Sequence, residues 1–251
     1  MPKDRASMQQ AAVNTEGIAR LQAHLDRTFV DGRPIRVLEA GCGAVTRVHF
    51  GQNSYVVGTD TSEVQLAKNP VLDERILADV QTQEFSPGSF DAVVCWNVLE
   101  HLSDPGRALR NFVTALGPGG VIVLALPNVW SVKALLTKLT PYRFHAWALR
   151  RFFGSPNAGK PGYDPFPTFL RLSIAPKALD TFARDNGLLI DYVSIFEHPR
   201  HRMLRERFGL RGRSWEVIRT VVRTATFGRV SADQTDCILV LKKLEATQAL
   251  S

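Results

Sequence analysis

Three acidic residues stand where short apolar runs break off. They are Glu39 in Val37-Leu38-Glu39-Ala40-Gly41-Cys42-Gly43, Asp60 in Gly58-Thr59-Asp60 and Asp79 in Ala78-Asp79-Val80. A Gly-x-Gly turn at the end of an apolar run lets the backbone reverse sharply and approach a ligand closely. An acid closing the next run, as Asp60 does 17 residues after Gly43, can accept hydrogen bonds from both ribose hydroxyls of an adenosine. Gly-x-Gly alone is equally well explained by a structural turn, and with Asp60 it still admits a dinucleotide. Two details point away from a pyrophosphate. Position 45 is Val, and the spacing leaves room for only a short helix before the second run, whereas a pyrophosphate wants a full glycine loop and an open helix N-terminus. A ring of carboxylates would also repel phosphates, and it suits a ligand carrying a sulfonium and an ammonium.

A second group of residues could move a proton. His101, in Val98-Leu99-Glu100-His101-Leu102, is a candidate general base because imidazole titrates near neutral pH unaided. It could equally cap the helix that Ser103-Asp104-Pro105 begins, or hold its loop in place. His145 is the second catalytic candidate; His198 and His201 lie in a later segment, and each alone is also explained as a surface histidine. Tyr163-Asp164 could orient an acceptor hydroxyl. No group of His and carboxylates has metal-ligand spacing, so no required metal is expected. Cys42, Cys95 and Cys237 are far apart in apolar runs and read as buried, reduced thiols.

The elements that must position these residues alternate. Strand signals fall at Ile35–Leu38, Tyr55–Gly58, Arg75–Ala78, Phe90–Trp96 and Val121–Leu126. Near-continuous apolar strands bounded by Gly, Pro and Asp are what a parallel sheet covered on both faces requires. A helix fits from Pro105 to Leu116, with Gly117-Pro118-Gly119-Gly120 as its stop, and another from Pro176 to Asn186. Leu188–Phe196 and Thr235–Lys242 read as two last strands, with a helical stretch over 129–153, a long loop over 154–168 and a basic helical insertion over 200–226. The expected fold is α/β: a doubly wound, mostly parallel seven-stranded sheet, Rossmann-like, with an antiparallel last strand pair and helical insertions. The expected organisation is one domain over 1–251, with an N-terminal helix in 1–32, a ligand-binding core over 33–128 and insertions over 129–187 and 197–234.

The five segments Val37–Gly43, Val57–Ser62, Ala78–Val80, Ser89–Leu102 and Leu116–Gly120 resemble, in order and spacing, the successive motifs of class I S-adenosylmethionine-dependent methyltransferases, over residues 35–130. The resemblance implies S-adenosylmethionine as cofactor and methyl transfer as activity. It implies that Glu39, Gly41, Cys42 and Gly43 line the methionine end and that Asp60 with Thr61 holds the ribose. Asp79 and Val80 would contact adenine, and Trp96 and Asn97 would lie near the sulfonium. Val45 departs from the pattern, many members carrying a third Gly there.

Of the 251 residues, 45% are hydrophobic and 22% charged, and the net charge is +7. No stretch approaches 18 uninterrupted apolar residues, and the N-terminus leads into polar sequence, so a cytoplasmic protein is expected. The charge is uneven: residues 129–163 carry +6 and residues 198–230 carry +7, leaving the rest acidic. Those are the segments that shape the acceptor pocket in the resembling family. An anionic, glycosidic or lipid-linked small-molecule acceptor, methylated on oxygen, fits them, as do plain solvated helix faces. Trp130, Phe144, Trp147, Phe152 and Phe153 among exclusively basic charges also fit peripheral contact with an anionic membrane. Nucleic acid competes as partner for a chain of this basicity, but the Arg-rich insertion lacks the closely interleaved aromatics of a base-stacking platform, and Trp96-Asn97-Val98-Leu99 stands where nucleic-acid amino methyltransferases often carry Asp/Asn-Pro-Pro-Tyr. A non-catalytic S-adenosylmethionine-binding partner protein is the remaining alternative.

Overall fold

The computed structural model describes residues 5–152, 156, 158–159, 168–169 and 171–245, with side chains from residue 17 onward except 142 and 152. Seven strands form one sheet: β1 (Ile35–Ala40), β2 (Ser54–Asp60), β3 (Glu74–Leu77), β4 (Phe90–Trp96), β5 (Leu116–Pro127), β6 (Leu188–Phe196) and β7 (Asp236–Lys243). Their spatial order is β3-β2-β1-β4-β5-β7-β6. The first five run parallel, and β7 is antiparallel to both neighbours. The expected mostly parallel sheet with an antiparallel last pair is what the chain forms. The order reverses between β1 and β4, so both strands leave their C-terminal ends beside one crevice, where open α/β sheets bind ligands.

Helices cover both faces. On one, α3 (Pro105–Ala115) and α6 (Pro176–Asp185) bury Leu109, Phe112, Leu179 and Ala183 against Leu38, Val93, Ile122 and Leu239. On the other, α1 (Arg5–Thr28) buries Leu21 and Leu25 against Val37, Val94 and Val123. Fully buried strands on two covered faces account for the unbroken apolar runs.

Two sequence expectations are corrected. No helix lies between β1 and β2: residues 42–53 form a loop that buries Val48 and Phe50 beneath α1. Gln22 clamps this loop, accepting from the backbone N–H of His49 at 2.9 Å and donating to its carbonyl at 2.6 Å. Gly117–Gly120 does not lie beyond the helix as a free stop but belongs to β5, since Leu116 already pairs with Phe90. The stretch 129–153 is two helices, α4 (Val132–Leu139) and α5 (Tyr142–Phe152), because Pro141 lacks the N–H that a continuous helix needs. The basic insertion is likewise two, α7 (Pro199–Arg207) and α8 (Arg213–Ala225), divided by Gly209 and Gly212, both at positive φ. A six-residue helix, α2 (Glu63–Lys68), follows β2. Among the described residues no helix is long and apolar enough to cross a membrane. Phe153, Lys160 and Tyr163-Asp164, with most of the loop expected over 154–168, lie outside the described residues.

Candidate active site

The end of β1 carries a buried carboxyl with an unused hydrogen-bond acceptor. Glu39 is 4% exposed, and its Oε1 has no hydrogen-bond partner among the described residues. Burial pushes its pKa up to about 8, against a smaller opposing pull from Arg47. The chain then turns through Gly41, at φ +69°, whose N–H donates to the Thr59 carbonyl at 2.8 Å. A Cβ built on Gly41 would stand 2.5 Å from Val98 Cγ2, so glycine is required there both for conformation and for space. Gly43, also at positive φ, has nothing within 4 Å of where a Cβ would be; its N–H donates to Asp60 Oδ2 at 2.9 Å. Asp60 Oδ1 accepts the Ser62 N–H at 2.8 Å. One carboxylate thus holds the glycine loop and the turn after β2 together, with lone pairs still available on each oxygen.

The next strand end is built similarly. Half-buried Asp79 accepts the Gln81 backbone N–H at 2.8 Å and its side-chain amide at 2.9 and 3.1 Å, and Val80 beside it is buried. Gln81 Oε1 in turn accepts from Ser103 Oγ and the Asp104 N–H, fixing this turn to the start of α3. Exposed Thr61 follows Asp60, and Cys42 is buried, its thiol pushed up to about 12 by burial and then by Asp60 and Glu39. Trp96 is half-buried at the end of β4, and Asn97 follows at φ +54°, a rare conformation for a side chain other than glycine, with its N–H on the Ala125 carbonyl.

These residues fit S-adenosylmethionine. The unpartnered Glu39 oxygen offers an ammonium its counterion, the space at Gly43 admits a ligand against the backbone, and Asp60 offers acceptors to a ribose.

Beyond Asn97 lies a cavity of about 450 Å³, within the range of small-molecule sites. Its polar wall includes Asn97, Glu100, His101, Lys133, His198 and Asp236, and Ala134, Leu149 and Leu204 supply apolar surface. Glu100 sits in a 3-10 turn over Leu99–His101 and is 5% exposed. Lys133 Nζ bridges both oxygens of Asp236 at 2.9 and 3.1 Å. His198 caps α7, its Nδ1 accepting the Arg200 N–H at 3.1 Å, and burial pushes its pKa down to about 4. His201 pairs with Glu197 at 2.9 Å; burial raises the Glu197 pKa, but hydrogen bonds from Arg205, His201 and Arg202 outweigh it and hold the carboxyl below its ordinary value.

Of the two histidines expected to act on an acceptor, the structure brings only His101 to this cavity. It does not cap α3; Asp104 does, accepting the Arg107 N–H. Its Nδ1 lies 3.4 Å from Thr168 Oγ1 and its Nε2 4.0 Å from Glu100 Oε1. His145 turns back to the end of α4, where Nε2 contacts Thr140 Oγ1 at 2.8 Å and the Thr140 carbonyl at 3.0 Å. Sequence reasoning missed the Lys133–Asp236 pair and the role open to Glu100. The signal for Glu100 was present, a charged residue inside the apolar run Val98–Leu102.

Comparison with known proteins agrees. The family model described as "Methyltransferase domain" matches residues 13–157, more than half of the chain, and the chain belongs to that family: it is a class I S-adenosylmethionine-dependent methyltransferase. A ubiquinone biosynthesis O-methyltransferase of Pseudomonas paraeruginosa is 28% identical over 174 residues, covering 65% of this chain and 68% of that protein. The fold is shared with a putative sarcosine dimethylglycine methyltransferase from Galdieria sulphuraria (TM-score 0.56, 14% identity, 91% of this chain and 86% of the other). It is shared also with phosphoethanolamine N-methyltransferase 2 of Haemonchus contortus, whose structure holds S-adenosyl-L-methionine (TM-score 0.55, 17% identity, 90% of this chain and 53% of the other).

Proposed function

We propose that the chain methylates a hydroxyl oxygen of a small acceptor, glycosidic or lipid-linked, that enters the cavity beyond Asn97. The carrying observation is continuity. Asn97 follows the strand beside the donor cradle and lines the cavity, and Val98 packs over Gly41, so donor loop and acceptor wall are one surface. The O-methyltransferase relative at 28% identity supports oxygen as the methylated atom.

S-adenosylmethionine, when bound, supplies an electrophilic methyl on its sulfonium. Glu39 would hold the ammonium, Asp60 with Thr61 the ribose, Asp79 and Val80 the adenine, while Gly41, Cys42 and Gly43 would shape the methionine end. Trp96 and Asn97 bound the space around the reacting carbon. The walls from α4 and α7 keep water from the acceptor and fix its approach, the entropic part of catalysis. His101, on the cavity wall, is placed to orient or deprotonate the acceptor.

The helices that flank the cavity support contact with an anionic bilayer. Leu136, Leu139, Phe144 and Trp147 are exposed on α4 and α5, among Lys138, Arg143 and Arg150, as an interfacial helix requires. Part of the other basic segment is engaged internally, Arg202 and Arg205 on Glu197 and Arg219 on Glu216 and Asp233, which makes α4 and α5 the better-supported face.

The test is transfer from methyl-labelled S-adenosylmethionine to phenols, sugars and prenylated phenols, each paired with its amine analogue. The expected outcome is label in a methyl ether, one S-adenosylhomocysteine per ether, and none with Asp60→Ala. Label confined to amines would refute oxygen as the target. Flotation with vesicles of phosphatidylcholine alone and of phosphatidylcholine with phosphatidylglycerol tests the membrane: protein that never rises with the anionic vesicles removes that part.

A further inference from the structure

Among the described residues, two buried side-chain atoms lack any hydrogen-bond partner: Oε1 of Glu39 and Oε2 of Glu100. Buried carboxyl oxygens are almost always satisfied, so each exception asks for an explanation. Glu39 belongs to the donor cradle. Glu100 does not: it forms part of the cavity beyond Asn97.

Its backbone is fixed on several sides. The Glu100 carbonyl accepts the Phe169 N–H at 2.8 Å, the His101 N–H donates to the Val98 carbonyl at 2.9 Å, and the Asn97 N–H to the Ala125 carbonyl at 2.8 Å. The carboxyl is therefore carried by a braced turn rather than by a loop that could swing it out to water.

The other titratable groups of the cavity are already engaged. Asp236 is bridged by Lys133. His198 uses Nδ1 to accept from Arg200, His201 is paired with Glu197, and His101 has Thr168 near Nδ1 and Glu100 near Nε2. Arg200 completes the set at the cavity, with the Cys95 and Cys237 thiols in the sheet beneath. Glu100 lines this wall, and its Oε2 is a buried acceptor that no group fills among the described residues.

We propose that Glu100 is the base for the acceptor, its carboxyl receiving first the hydrogen bond and then the proton of the acceptor hydroxyl, with His101 as a positioning residue. The assignment rests on the O-methylation reading. As the oxygen–carbon bond forms and the sulfur–carbon bond breaks, the electron pair of the latter returns to sulfur and the hydroxyl proton goes to Glu100, later to solvent. No oxidant or further reactant is needed. Burial raises the Glu100 pKa to about 8, its own backbone N–H and Lys133 opposing and Asp236 adding to the rise. A carboxylate in that range is a far stronger base than an exposed one, and better matched to a phenolic proton. Because the pKa is raised, the base form grows in as pH rises through about 8, and turnover rises with it.

The experiment compares wild type, Glu100→Gln and His101→Gln in three readouts. Calorimetry with S-adenosylhomocysteine reports the fold and donor site, and agreement within about two-fold is expected throughout. The visible spectrum of 4-nitrocatechol reports its own ionisation: in wild type the ionisation midpoint of the bound probe is expected to differ from that of the free probe, and Glu100→Gln to lose that shift. The pH profile of kcat/KM for catechol is expected to show a rising limb near pH 8 that His101→Gln retains. Glu100→Gln should lose the limb and about 10²- to 10⁴-fold in rate, the usual span of general base catalysis. Catechol turnover with Glu100→Gln within three-fold of wild type, or a limb that disappears with His101, overturns the role of Glu100 and leaves O-methylation standing. A wild type that binds S-adenosylhomocysteine but neither shifts the nitrocatechol spectrum nor methylates catechol, while methylating amines, overturns both.

Discussion

Replacing Gly41 with Ala should loosen the donor loop by two separable amounts. A side chain at φ +69° costs about 1–2 kcal/mol through the clash of Cβ with the neighbouring carbonyl. The new Cβ would also stand 2.5 Å from one Val98 methyl and 2.9 Å from the other, an overpacking of about 1–3 kcal/mol. Gly41→Ala is therefore expected to cost about 2–5 kcal/mol in all. Val98→Ala removes both offending methyls, so the double variant should recover the overpacking and keep the conformational part. Urea denaturation of the four proteins yields a coupling energy of about 1–3 kcal/mol in the stabilising direction. Coupling within about 0.5 kcal/mol of zero, the scatter expected for independent sites, would refute the claim that Val98 closes over this glycine, and with it the shared surface of donor loop and acceptor wall.

Asp60→Ala removes the acceptor of two backbone N–H groups at 2.9 and 2.8 Å and the proposed ribose contact. At about 1.5–3 kcal/mol for a hydrogen bond to a charged group, calorimetry should show S-adenosylhomocysteine bound at least about ten-fold more weakly; unchanged affinity would sink the ribose assignment. Glu39 is protonated below its pKa of about 8, and pairing with an ammonium favours its ionised form, so binding of S-adenosylhomocysteine at pH 7 should release a proton. Calorimetry in buffers of different ionisation enthalpy reads that release, and Glu39→Gln should abolish it. The same raised values set a sign for stability. Glu39 and Glu100 hold protons in the folded chain that the unfolded chain gives up near pH 4.5, so unliganded stability should fall as pH rises from about 4.5 to 8, by up to about 1.4 kcal/mol per pH unit for each group. Glu39→Gln and Glu100→Gln should each flatten that slope in denaturant titrations; a slope unchanged in both would mean the carboxyls are ionised in the fold.

How much of this was legible in the sequence follows from how each part is built. The donor side is written locally: an apolar strand, a turn and an acid at each of three strand ends, all delivered to one edge because parallel strands share a direction. Spacing alone therefore places Glu39, Asp60 and Asp79 together. The loop over 42–53 was not legible, because a short gap between parallel strands usually holds a helix, and what replaces it depends on a distant partner. Val45, Thr46 and Val48 are β-branched and disfavour helix, but the clamp from Gln22 in α1 has no sequence signature.

The proposed acceptor side fails to declare itself for a stronger version of that reason. Its wall draws Glu100 from the turn after β4, Lys133 from α4, His198 from the cap of α7 and Asp236 from the start of β7, residues that meet only because β7 runs antiparallel between β5 and β6. Each looks ordinary in its own segment. Lys133 sits in a run of basic residues and reads as part of a charged face, yet it is the counterion of Asp236. His198 reads as a surface histidine, yet burial holds it neutral. Charge counted along the chain therefore overstated what the basic segments offer a ligand, since several of their cations engage carboxylates of the same fold. What a sequence can announce about such a site is the misfit, a carboxylate placed where an apolar run should continue. Glu100 is that misfit, and among the described residues its Oε2 has no partner.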